Sequence, residues 1–231
     1  MSCDIETGSA EILKTIHYAG DSTVQFNSIA TYPQTGLGQV LPLFLKANIA
    51  VKNHGKNGRS TKSFINEGRL EVVDKNICQG DFLFIEFGHN DEKETDSSRY
   101  TDPNTEYKDN LKKFIEVANQ KGALPVLITP LERGNFENGH LYAGKHIPYV
   151  KAMKEVAKEC NVPIVDLNAK SRALMEELGE AKSHALFNKD TTHMNYEGAI
   201  TFGRLLAQGI RELGGEYSDM LADEVADDEK V

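Results

Sequence analysis

"FLFIEFGHND", residues 82–91, is an apolar run broken only by Glu86 that stops at Gly88 and gives way to three polar residues, His89, Asn90 and Asp91. A run this short, bounded by glycine, reads as a buried strand. Four more apolar runs of this kind occur, at residues 15–19, 49–52, 125–129 and 163–167. Stretches with helical period lie between them. Tyr107, Leu111, Phe114, Ile115 and Ala118 fall on one helical face, with Asp102 and Pro103 as the expected cap and first-turn proline. Val150, Met153, Ala157 and Cys160 repeat the pattern, as do Phe202, Leu205, Leu206, Ile210 and Leu213, which Gly214 and Gly215 terminate. Strands alternating with helices imply crossover connections and a parallel sheet covered on both faces, hence an α/β fold.

The 231 residues, 39% hydrophobic and 26% charged, suit one domain with a generous core. The expected limits are an N-terminal leader over residues 1–14, a single domain over 15–215, and an acidic, solvated tail over 216–231. That tail carries −6 of the formal charge of −9, so the body is nearly balanced. Without a basic excess, neither nucleic acid nor an anionic membrane is an expected partner. Cys3, Cys78 and Cys160 are far apart, with no zinc-like spacing and no even count for a disulfide framework. No basic n-region or apolar h-region opens the chain, so the expected location is the cytoplasm. No metal and no cofactor is expected.

Ligands of open parallel sheets bind outside the carboxyl ends of the strands, which directs attention to the loops starting near Gly20, Asn53, Gly88, Pro130 and Asn168. The first loop reads "GDSTVQ", residues 20–25. Ser22 there suits a nucleophile whose own N–H faces an oxyanion at the start of the next helix, a phosphate cradle, or a plain turn. Asp21 and Thr23 read as turn and helix-start residues. The second, "NHGKNGRSTKSF", residues 53–64, supplies Gly58 and exposed N–H groups before a capped helix. In the third, the Asn90 amide is a good donor toward a developing oxyanion; His89 reads as a packing histidine and Asp91 as a loop cap. Near the C-terminus, Asp190 and His193 in "DTTH" are spaced so that the carboxylate can hold one imidazole nitrogen and leave the other as a base. No G-x-S-x-G elbow is present.

Taken together and in order, Ser22 in "GDST", Gly58 in "NGRS", Asn90 in "GHND" and His193 in "DTTH" resemble the four blocks of the SGNH, or GDSL, hydrolase superfamily. "GDSTV", "GRSTKSF", "EFGHND", "TPLERGNF" and "PIVDLNAKS" look like its rhamnogalacturonan acetylesterase branch. The resemblance implies a flavodoxin-like three-layer α/β/α sandwich with a five-stranded parallel sheet. It further implies a metal-free serine esterase acting on acetylated pectin oligosaccharides, with Ser22 as nucleophile, His193 as base and then acid, and Asp190 as its orienting carboxylate. The Ser22 and Gly58 N–H groups and the Asn90 amide would form the oxyanion hole. Galacturonate is anionic, and Arg59 and Arg133 are the expected cations for it. Two alternatives stay open: an esterase or thioesterase for other acyl groups on the same fold, and a non-catalytic phosphate-binding module, which has no use for His193.

Overall fold

The structure, a computed structural model, describes residues 14–223. Five parallel strands, β1 (Lys14–Gly20), β2 (Ile49–Asn53), β3 (Phe82–Glu86), β4 (Leu124–Ile128) and β5 (Ile164–Val165), form one sheet in the order β2-β1-β3-β4-β5. This is the flavodoxin-like order, and it reverses direction between β1 and β3. Six helices cover the sheet: α1 (Thr61–Asn66), α2 (Arg69–Asn76), α3 (Glu106–Lys121), α4 (Ile147–Cys160), α5 (Leu167–His184) and α6 (Tyr196–Leu213).

The run at 82–87 is apolar on both parities because it feeds two cores. Phe82 and Phe84 point to one face, where Phe202, Leu206 and Ile210 of α6 pack; Leu83 and Ile85 point to the other, against Phe64, Leu111 and Phe114. A strand side-chain period of two thus partitions one sequence between two layers of helices. Glu86, the only charged residue in β3, is also buried, at the end of the strand nearest the loops.

Three boundaries differ from the sequence reading. The fifth strand has two residues rather than five, because Asp166 accepts from Ala169 N and caps α5 directly, which takes Leu167 into the helix. α3 begins at Glu106, not beside Pro103: the Asp102 carboxylate accepts from Asn104 N and Thr105 N and closes a separate turn first. The acidic tail does not start at 216. Glu216 pairs with Lys14 at 2.8 Å, the Tyr217 ring lies 5.8 Å from that of Phe82, and Met220 and Leu221 are buried, so the domain reaches at least residue 223. Of the expected leader only Lys14 is described, and it opens β1; residues 1–13 and 224–231 lie outside the described residues. Among the described residues, no helix is long and apolar enough to cross a membrane.

Gly20 closes β1 where a side chain has no room: a Cβ there would overlap the Val24 side chain and sit 2.9 Å from Glu86 O. Gly20→Ala is therefore expected to destabilise the protein by about 1–3 kcal/mol through overpacking. Urea denaturation reads this directly, and an unchanged midpoint would show that β1 and β3 can separate without cost.

Candidate active site

The switch between β1 and β3 leaves a crevice at their carboxyl ends, and the loops carrying Ser22 and Asn90 leave the sheet there. Ser22 sits in a tight turn. Gln25 N donates to Asp21 O at 3.0 Å, while the Asp21 carboxylate accepts from Thr23 N and Thr23 Oγ1, both at 2.9 Å. No helix begins beneath Ser22, contrary to the expectation for Thr23; the chain runs on through a short 3-10 turn at Ile29–Thr31 to a single turn of α-helix at Leu37–Val40. Whatever stabilises charge at Ser22 comes from individual N–H groups, not from a helix dipole.

A loop far down the chain completes the arrangement. His193 Nε2 lies 2.9 Å from Ser22 Oγ, and its Nδ1 lies 2.6 Å from Asp190 Oδ2. The other Asp190 oxygen accepts from Thr192 N at 2.8 Å and His193 N at 2.7 Å. Burial raises the Asp190 pKa, but these hydrogen bonds outweigh it and leave the carboxyl below its ordinary value. An ionised Asp190 requires the proton of His193 to sit on Nδ1, which leaves the Nε2 lone pair facing the serine hydroxyl.

Opposite the imidazole lie Gly58 and Asn90. Gly58 has φ +76°, a conformation that suits glycine, and it presents its N–H in the loop before α1. Among the described residues no hydrogen bond uses the N–H of Ser22 or of Gly58. Asn90 Nδ2 donates to Arg59 O at 3.2 Å and to Asp21 Oδ2 at 3.3 Å, both long enough for a better acceptor to compete. These groups line a cavity of about 500 Å³.

The expected substrate cations separate. The Arg59 guanidinium is turned onto Glu67 at 3.0 Å and Asn57 O at 2.9 Å, and it does not line the cavity. Arg133 does line it, but its guanidinium binds Glu92 at 2.6 Å, His89 O and Thr192 Oγ1, tying the loop after β4 to the one that carries His193. Two cations from the loop after β3 also reach the cavity. Arg99 is paired with Asp96 at 2.6 Å and turns Nη1 toward Asn90 Oδ1; for Lys93, exposed, no ion pair is found among the described residues. Local charge pairing, invisible in a linear sequence, decides which cation is uncommitted.

Beneath the loops lies a layer of buried acids. Glu86 receives Tyr18 OH at 2.5 Å and Thr23 Oγ1 at 3.1 Å, and burial pushes its pKa up to about 8. Asp91 caps α1 through Thr61 N and Thr61 Oγ1 and binds Thr101 Oγ1; burial pushes it up to about 7. His89 donates Nε2–H to Leu131 O at 2.8 Å, and burial, then Arg133, hold its pKa well below the ordinary value. It is a neutral packing histidine beside the site. Among the described residues, no cluster of three or more His, Cys, Asp and Glu is placed to hold a metal ion.

Residues 18–199 match the profile of the GDSL-like lipase/acylhydrolase family. The chain belongs to that family. It is 43% identical over 204 residues to the probable rhamnogalacturonan acetylesterase YesY of Bacillus subtilis, a match covering 86% of this chain and 93% of YesY. It is 39% identical over 223 residues to the rhamnogalacturonan acetylesterase RhgT of the same organism, covering 89% and 93%. Among solved structures, YxiM of B. subtilis superposes with a TM-score of 0.78 at 29% identity; the match covers 88% of this chain and 57% of that one. The acetylxylan esterase Axe2 of Geobacillus stearothermophilus, at 18% identity and a TM-score of 0.63 over 90% and 98% of the two chains, shares the fold.

The raised pKa of Glu86 has a consequence for stability. Folded Glu86 keeps its proton up to about pH 8, whereas the unfolded chain releases it near 4.5, so the folded state binds more protons between those values. The Glu86 contribution to stability is therefore full below about pH 4.5 and declines as pH rises toward 8, whereas His17, His54 and His89, whose pKa values burial lowers from 6.5, contribute with the opposite sign. Glu86→Gln is expected to remove the Glu86 part, so that stability falls less steeply, or rises more, with pH than in the wild type. Urea midpoints at three pH values from 5.5 to 8.5 read the slope, and an identical slope in the variant would mean Glu86 is ionised in the folded protein.

Proposed function

We propose that this carboxylic ester hydrolase is an acetylesterase that removes acetyl groups from rhamnogalacturonan fragments through an acetyl-serine intermediate. The observation that carries the mechanism is the unbroken line from Ser22 Oγ through His193 to Asp190, facing two unclaimed N–H groups across one cavity. In this reading Ser22 Oγ attacks the ester carbonyl carbon as its proton passes to His193 Nε2. The carbonyl oxygen becomes an oxyanion and takes the N–H groups of Ser22 and Gly58 and one N–H of Asn90. Collapse expels the sugar oxygen, which takes the proton from His193. Water, deprotonated by the same nitrogen, then attacks the acetyl-serine carbonyl; the bond to Ser22 Oγ breaks, Ser22 Oγ takes the proton back from His193, and acetate leaves.

The acyl group and the alcohol have separate support. Every side chain lining the cavity is polar or charged apart from Gly58, which offers nothing to hold a long alkyl chain and suits a two-carbon acyl group on a sugar. For the substrate, the reading leans on YesY and RhgT, both named for rhamnogalacturonan and both similar to this chain over most of their length. A galacturonate carboxylate would find Lys93 the least committed cation at the cavity, in preference to the Arg59 and Arg133 expected from sequence.

Ser22→Ala is expected to abolish nearly all turnover of a chromogenic acetate ester, the residue of activity being at most about 10³ to 10⁴ over water. Asn90→Ala is expected to lower kcat by about 10² to 10³ with KM little changed; a near-normal rate would place its amide outside the oxyanion hole. Acetate release from a panel of acetylated rhamnogalacturonan, acetylated xylan and long-chain esters tests the substrate. Preference for xylan or for long acyl chains sinks the assignment and leaves the triad standing. Lys93→Ala is expected to raise KM for the acidic substrate and, unlike the wild type, to show little dependence of KM on salt.

A further inference from the structure

Seven large apolar side chains stand at least half exposed among the described residues, and five of them, Phe26, Ile29, Tyr32, Leu43 and Tyr196, line a single groove of about 410 Å³. Scattered exposed apolar residues need no explanation, but a cluster of this kind does. Ile29 is 88% exposed and Tyr32 is 68% exposed, and no charged residue lies in the lining.

The groove is continuous with the active site. Gln34 lines both cavities, and no hydrogen bond to its side-chain amide is found among the described residues. The segments that carry the reacting groups run on into it: Phe26 follows Ser22 by four residues, and Tyr196 follows His193 by three. Thr35 N donates to Met194 O at 3.0 Å, which fixes one wall of the groove to the loop bearing His193. The other wall is braced by Gln39, whose side chain accepts from Asn27 N and Gly36 N and donates to Asn27 O. The backbone of both walls is therefore held at a set place relative to the loop bearing His193.

We propose that this groove is a second sugar subsite, which binds the neutral deoxysugar next to the acetylated residue. The proposal rests on the substrate class given above. Rhamnogalacturonan alternates an anionic uronate with a neutral 6-deoxy sugar, and the two cavities divide in the same way. The cavity at Ser22 holds Lys93, Arg99 and Arg133, whereas the groove holds aromatic rings and side-chain amides and no charge. The C–H face and the methyl group of a deoxysugar suit exposed phenyl and phenol rings, which bury apolar area at little entropic cost. The free Gln34 amide at the junction is placed to take a hydroxyl of either unit.

The test compares two substrates of the intact protein: an acetylated rhamnogalacturonan oligosaccharide and an aryl acetate too small to reach the groove. The ratio of their kcat/KM values is expected to fall about three- to tenfold in Tyr32→Ala and in Tyr196→Ala, the change appearing in KM for the oligosaccharide. Val72→Ala, an exposed apolar residue on α2 away from the groove, should leave the ratio as in the wild type. Turnover of the aryl ester reports that the variants are folded. A wild-type ratio in both tyrosine variants overturns the subsite, whereas no acetate release from the oligosaccharide by the wild type overturns the substrate class instead. If the wild type sediments as a dimer and Tyr32→Ala as a monomer, the groove is an interface between copies. If longer acyl esters are preferred and the variants lose that preference, it is an acyl slot. Either result rules out the sugar subsite.

Discussion

A carboxylate without access to water must be surrounded by donors, and Asp21, next to Ser22 and 1% exposed, imposes that condition on the two loops that meet at the site. One oxygen takes Thr23 N and Thr23 Oγ1, which fixes the turn presenting Ser22; the other takes Asn90 Nδ2, from the loop after β3. Burial raises the Asp21 pKa, with the Thr23 hydrogen bonds and the charge of Arg133 pulling the other way. The position of Ser22 and the position of the Asn90 amide are thus set by one side chain. Neither loop is free to move without leaving this group unsatisfied.

The same device recurs one layer down. Glu86 ends β3 among Tyr18 and Thr23, and Asp91 holds the start of α1 and the loop at Thr101. Tyr149 and Tyr107 reach across from the helices to the backbone carbonyls of Thr101 and Phe87. Loops are usually the mobile part of an α/β protein because few groups hold them. Here the loops after β1, β2 and β3 each have a buried acid or a buried hydroxyl beneath them, so Ser22, Gly58 and Asn90 stand on a floor that is held by satisfied hydrogen bonds.

The sheet, the inward faces of α3, α4 and α6 and the meeting of Ser22, Gly58, Asn90, Asp190 and His193 at one cavity match the sequence expectation, because strand and helix periods are local and the four short blocks keep their order. Legibility stopped where a property depends on contact. Arg59 and Lys93 are equally basic on paper, yet Glu67 lies within reach of one and, among the described residues, no anion pairs with the other. α5 escaped notice because three of its five buried residues, Asn168, Ser171 and Ser183, are polar, which leaves only Leu167 and Met175 to mark its inward face. The acidic composition after 215 concealed Tyr217, Met220 and Leu221, which anchor that segment on β3 and beside Leu45. Phe26, Ile29 and Tyr32 are widely spaced apolar residues in a loop, and only folding brings them next to Tyr196.

Arg133 shows how a cation that lines a cavity can serve the protein instead of a ligand. Its partners belong to two stretches of chain, His89 O and Glu92 in the loop after β3 and Thr192 in the loop that carries His193, which it directly precedes. Glu92, only about one-tenth exposed, neutralises most of the charge that a galacturonate would feel. A guanidinium has a fork geometry that can hold several oxygens at once, which an ammonium cannot match, so the arginine suits the structural task and the lysine the solvent-facing one. With Lys93 reaching into the cavity from an otherwise polar loop, attraction for an anion is local and screened by salt, and the negative net charge of the chain need not be reversed for it to act.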